Sequence, residues 1–66
     1  MSNRIKNLRK SCGLSQQTVA ERLGLTRAAY ANYEQGIREP SVETIKKICI
    51  FFDVSADYLI GLTDSY

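Results

Sequence analysis

QQTVAERLGLTRAAYANYEQ, residues 16–35, reads as two short helices joined by a turn too tight for any other element. Val19, Ala20 and Leu23 form the apolar stripe of the first helix, and Gly24-Leu25-Thr26 leaves room only for a sharp reversal between helices packed at a steep angle. Gly24 supplies the positive φ such a turn demands, and Ala20 the small side chain that lets the second helix close in. Projected at about 100° per residue, the second helix puts Thr26, Tyr30 and Tyr33 on an inner side and Arg27, Ala28, Ala31, Asn32 and Gln35 on an outer one. That outer side carries no large apolar group. It offers one cation, two amides and small alanines that permit close approach: Arg can donate a bidentate pair to guanine, Asn can pair with adenine, and an Ala methyl can touch a thymine methyl. Arg, Asn and Gln also populate the solvated face of any helical domain; the steep turn in front of this face sets it apart.

The rest of the chain repeats one local device: an apolar residue or Pro, a hydroxyl, then an apolar residue four positions further on. It occurs at Leu14-Ser15 with Val19, Leu25-Thr26 with Tyr30, Pro40-Ser41 with Ile45, and Val54-Ser55 with Leu59. Each hydroxyl can cap free backbone N–H groups while its flanking apolar pair forms a staple, so four helix starts are predicted. A further helix over about Asn3 to Ser11, with Ile5, Leu8 and Cys12 on one stripe, precedes them and makes five. Gly13, Gly24, Gly36 and Gly61 each stand where a periodic segment ends. No stretch alternates long enough for a strand, and no linker or repeat divides the chain. The expected architecture is all-α, a compact five-helix bundle forming a single domain over residues 1–66.

Composition narrows the function. The 66 residues carry a net charge of +2, but Arg4, Lys6, Arg9 and Lys10 make the first ten residues basic, whereas the stretch from Glu34 onward is net negative. There is no His, and Cys12 and Cys49, read as buried thiols in a reducing compartment, fall short of a tetrahedral metal site, so no metal or cofactor is expected. Without a glycine-rich phosphate loop, and with Ser, Asp and Glu mainly at caps and on solvent faces, an enzyme is not expected. The longest apolar run, Ile48 to Phe52, is too short to span a bilayer, and no signal core precedes the first helix; a cytoplasmic protein is expected. Ile45, Ile48, Cys49 and Phe52 face a core, but Ile50 and Phe51 fall off that stripe, and Tyr58, Ile60, Leu62 and Tyr66 add apolar bulk beyond what so small a core can cover. A homodimer through the C-terminal region, centred on Ile50, Phe51, Tyr58 and Leu62, is the expectation.

Taken together, Ile5-Lys6-Asn7-Leu8-Arg9, Gly13-Leu14-Ser15-Gln16, Val19-Ala20, Gly24-Leu25-Thr26, Tyr33-Glu34-Gln35-Gly36, Pro40-Ser41 and Val54-Ser55-Ala56-Asp57-Tyr58-Leu59 resemble the phage repressor and Cro family of helix-turn-helix domains, the XRE type, over nearly the whole chain. The resemblance implies a lambda-repressor-like fold with the helix-turn-helix at helices 2 and 3, and a bacterial or phage transcription regulator, a repressor, that binds a roughly palindromic double-stranded DNA operator through the major groove. It implies base contacts from Arg27, Ala28 and Asn32, and backbone contacts from Gln16, Gln35 and Arg38, with Gln16 also bracing the reading side chains. Arg9 and Glu34 match a partly buried salt bridge that serves as scaffold. Ala28 stands where relatives place a hydrogen-bonding side chain, which shifts readout toward Arg27 and Asn32. The competing expectation is a protein-interaction module of the same fold, an antitoxin partner or a regulator of another factor; such a module has no need for Arg27 and Asn32 to stand clear beside Gln16.

Overall fold

Four hydroxyls decide where four of the five helices begin. In the computed structural model, which covers residues 1–66, the helices are α1 (Ser2–Ser11), α2 (Gln16–Arg22), α3 (Arg27–Gln35), α4 (Val42–Phe52) and α5 (Ala56–Leu59), and there is no strand. Ser15 accepts from the Thr18 N–H at 3.1 Å, Thr26 from Ala29 at 3.1 Å, Ser41 from Thr44 at 3.2 Å and Ser55 from Tyr58 at 3.1 Å. Each of these bonds satisfies a donor that the helix itself cannot use, worth about 1 kcal/mol apiece. α1 starts at Met1 with no side-chain cap.

The core is small and every helix contributes to it. Ile5 and Leu8 of α1, Val19 and Ala20 of α2 with Leu23 at its C-cap, Tyr30 of α3, Ile48 of α4 and Leu59 of α5 are buried, and Ile45, Cys49, Phe51, Phe52 and Val54 pack partly against them. α3 lies against both α1 and α2, while α4 packs with α5. The α2–α3 turn closes through Leu25 N–H on the Ala20 carbonyl at 2.8 Å, with Gly24 at φ +72°. A side chain at Gly24 would meet nothing within 4 Å, so the glycine is there for its backbone conformation and not for close packing.

Four expectations are corrected. Cys12 is not a buried member of the α1 stripe: the helix ends at Ser11, Cys12 becomes its C-cap, and the turn over Gly13 leaves the residue exposed. Cys49 is half-buried, and burial pushes its thiol pKa up. Thr26 is exposed, because its hydroxyl is turned back onto the first turn of α3. Tyr33 is half-buried; the inner side of α3 is formed by Tyr30 and, unexpectedly for a carboxylate, Glu34 at 5% exposure. The basic N-terminal end is also narrower than its composition suggests. Arg4 donates to the Tyr58 and Thr63 carbonyls at 3.0 and 2.8 Å, pairs with Asp64 at 3.0 Å and covers the Tyr58 ring, 4.5 Å from its centroid, so it fastens the C-terminal segment to α1. Arg9 is likewise paired, with Glu34.

Candidate nucleic-acid interface

The turn and the cap set α3 so that its N-terminal residues project from the domain. Arg27, the first residue after the Thr26 cap, is exposed, as is Ala28, and Gln35 is exposed at the far end. Asn32 is half-buried in the middle of the same helix. Arg27 makes no salt bridge and no side-chain hydrogen bond within the chain, and neither does Arg38. These two guanidiniums therefore differ from Arg4 and Arg9, whose charges are already neutralised internally.

Arg38 is brought to the end of α3 by the way that helix stops. Gly36 takes φ +76° as its C-cap, and the Ile37 N–H then folds back to the Asn32 carbonyl at 3.0 Å. A side chain at Gly36 would meet the Ser2 hydroxyl at 3.4 Å, an ordinary contact, so this position needs glycine for its backbone conformation. Arg38, Tyr33, Gly36, Ser2 and Pro40 line a cavity of about 200 Å³ between this loop and the start of α1.

Behind the exposed face sits a cluster joining three helices. Arg9 Nε lies 2.6 Å from Glu34 Oε2 and its Nη2 3.2 Å from Oε1, while Nη1 donates to the Leu14 carbonyl at 2.8 Å. Gln16 Nε2 donates to Glu34 Oε1 at 3.0 Å. Burial is the largest single influence on the Glu34 carboxyl and pushes its pKa up, but the hydrogen bonds from Arg9 and Gln16 together with the Arg9 charge outweigh it, and the pKa is held below the ordinary carboxylate value. The Tyr30 hydroxyl is sealed from solvent and makes no hydrogen bond; burial first, and the adjacent carboxylate second, raise its pKa far above the usual phenol range. Gln16, placed by the resemblance at the DNA backbone, is thus half-buried with its amide engaged by the scaffold. Its link to Glu34, across 18 residues of sequence, carries no periodic or compositional signal and is visible only in the folded chain.

The six residues named for DNA contact fall in α3, in the loop that follows it and at the first position of α2. Chemically this face provides donors from Arg27 and Arg38, donor-acceptor amides from Asn32 and Gln35, and a flat methyl surface at Ala28. No three of the Cys, Asp and Glu residues cluster in a way that could hold a metal ion.

Comparison with known proteins gives a concordant result. A family model described as helix-turn-helix matches residues 5–59. YqaE of Bacillus subtilis, named an uncharacterized HTH-type transcriptional regulator, is 48% identical over 59 residues, covering 89% of this chain and 51% of that protein. The chain spans about half the length of the curated relatives that it matches in this way. Among solved structures, the P22 c2 repressor in complex with a synthetic operator superposes with a TM-score of 0.83 at 26% identity, covering 88% of each chain. The biofilm master regulator SinR, solved in complex with DNA, superposes at 0.81 with 30% identity, covering 89% of this chain and 95% of that one.

Proposed function

The chain belongs to the XRE-type helix-turn-helix family, and on that premise we propose that it is a sequence-specific double-stranded DNA-binding regulator, a repressor that acts by occupying a roughly palindromic operator. The observation that carries this reading is the outer face of α3, where Arg27 and Ala28 stand exposed and Arg27 unpaired on a helix that follows a tight turn at Gly24. α3 enters the major groove. Arg27 pairs with guanine, Asn32 with adenine, and Ala28 contributes a methyl contact in place of a hydrogen bond. Gln35 and Arg38 meet phosphates where the loop after α3 reaches the backbone, and Gln16 approaches the backbone from the start of α2. The P22 c2 repressor's complex with an operator and SinR's complex with DNA support this assignment by likeness of fold.

A homodimer places two copies of α3 in successive major grooves, about 34 Å apart, and the bound protein occludes polymerase. The dimer face uses the C-terminal apolar surplus, led by Ile50 and Leu62 at 82% and 74% exposure. Phe51 and Tyr58 contribute less, since both are half-buried and Tyr58 is already flanked by Arg4 and by Tyr66, whose ring centroid is 4.7 Å away. Sedimentation equilibrium at tens of micromolar should give a dimer that Leu62→Glu with Ile50→Glu dissociates; a wild-type monomer both free and on DNA refutes this arrangement.

Selection from random duplexes followed by footprinting tests the binding itself. With the selected operator, Arg27→Ala should lose about 1–3 kcal/mol and relax preference at one base position, whereas Arg38→Ala should weaken all sequences alike and lower the salt slope by about one. Two variants that bind as wild type would show that the assigned face is wrong.

A further inference from the structure

We propose that Glu34 is a positioning residue for Gln16, fixing which end of the Gln16 amide is offered to DNA; this rests on the reading above that α3 and the start of α2 face the duplex. Glu34 lies near the C-terminal end of α3, with a side chain only 2% exposed. Its two oxygens accept from Arg9 of α1 and from Gln16 of α2, so one carboxylate ties three helices together at the point where α2 begins. Arg9 tightens the same knot by holding the Leu14 carbonyl just before the Ser15 cap.

An ionised carboxylate can only accept hydrogen bonds. The end of the Gln16 amide that faces Glu34 is therefore the nitrogen, 3.0 Å from Oε1, and the carbonyl oxygen is left pointing away. One Nε2 proton is committed to Glu34 and the other remains. An unrestrained glutamine presents either end with equal ease and gives up rotamer freedom when it binds. Here the orientation is settled before DNA arrives. The consequence is specific: Gln16 presents an acceptor, whose complement is a donor such as a reading side chain of α3 or a base amino group, and it meets a phosphate only through its remaining N–H. Arg9 and Tyr30 are the other titratable groups facing Glu34. The guanidinium keeps the carboxylate ionised and thus keeps the amide the right way round.

Two measurements on the full chain test this. In the free protein, the side-chain amide resonances of Gln16 should move with the ionisation of Glu34, followed through its own carboxyl carbon, with a midpoint below the usual glutamate range. Gln16 signals that ignore this titration would overturn the proposal whether or not any duplex binds. On a selected operator, at a temperature where denaturation curves show every variant folded, Gln16→Ala and Glu34→Gln should each weaken binding about five- to tenfold, and the double variant should be no worse than the weaker single. Losses that multiply would make Glu34 a scaffold residue only and would overturn it. If wild-type protein selects no duplex at all, the DNA reading fails, while the resonance titration still decides whether Glu34 holds Gln16.

Discussion

Replacing Arg9 by Met removes the partner of a buried carboxylate while retaining most of the side-chain volume. The Glu34 side chain is 2% exposed and Arg9 is 13% exposed, so water cannot take over the bonds that Arg9 makes. What is left for Glu34 is one amide, from Gln16, in place of a charged guanidinium at 2.6 and 3.2 Å. Stranding a buried charge in this way costs about 3–5 kcal/mol. A domain of this length has a total stability of only about 3–10 kcal/mol, so Arg9→Met should lose a large part of it at pH 7. With a urea m-value near the lower end for small proteins, about 1 kcal/mol/M, the midpoint should fall by about 3–5 M. The pH dependence gives the sharper readout. In the wild type, Glu34 has its folded pKa held below the ordinary carboxylate value of the unfolded chain, so its contribution is fully present above that value and is lost as the pH falls through the folded pKa. In Arg9→Met the main opposing influence is gone, burial dominates, and the Glu34 pKa rises above its unfolded value. The variant then regains stability, relative to wild type, as acidification neutralises the carboxyl. Far-UV circular dichroism in urea at pH 7 and pH 4.5 measures both. Arg9→Lys, which keeps the charge but loses the forked geometry, should fall between the two and stay folded. Arg9→Met with Glu34→Leu should return to within about 1 kcal/mol of wild type. A loss under about 1 kcal/mol at pH 7, or a loss that fails to shrink on acidification, would refute the reasoning.

Two further expectations concern stability. Tyr30→Phe removes a sealed hydroxyl without a hydrogen bond, so urea melts should show no loss and a gain of up to about 1 kcal/mol; a clear loss would mean that the hydroxyl donates to Glu34 after all. Asp53→Gly should stabilise by about 0.5–1 kcal/mol, raising Tm by several degrees, because Asp53 ends α4 at φ +55° and puts a negative charge at a helix C-terminus. Asp53→Asn, which keeps the tolerance for that conformation and removes the charge, should gain less than glycine.

The helix starts were legible because a cap is a local event. A hydroxyl three residues before a free N–H acts within one turn, and Ser15, Thr26, Ser41 and Ser55 could each be identified without knowing where the rest of the chain goes. The glycine stops were legible for the same reason, although α4 ends on Asp53 instead, a residue whose short polar side chain makes the left-handed conformation tolerable. The projection of α3 correctly brought Arg27 and Ala28 to solvent and Tyr30 to the core. It failed at Thr26, a helix boundary where the cap and not the helical period sets the direction of the side chain, and it placed Tyr33 inside and Asn32 outside although both are half-buried; the α1 stripe failed at Cys12, likewise at a boundary.

What the chain's own order of residues determined, then, is the number of helices, the steep turn between α2 and α3 and the chemical character of the face that follows it. All three depend on interactions spanning a few residues. Which charges remain available was decided only by the tertiary structure. Arg4 and Arg9 look equivalent to Arg27 and Arg38 by composition, yet the first two are taken up by groups 60 and 25 residues away, Asp64 and Glu34, and the last two are left unpaired. The same is true of Gln16, whose orientation depends on a carboxylate on another helix. Burial of Glu34 makes those long-range bonds strong, and burial is a property that no short stretch of sequence possesses by itself.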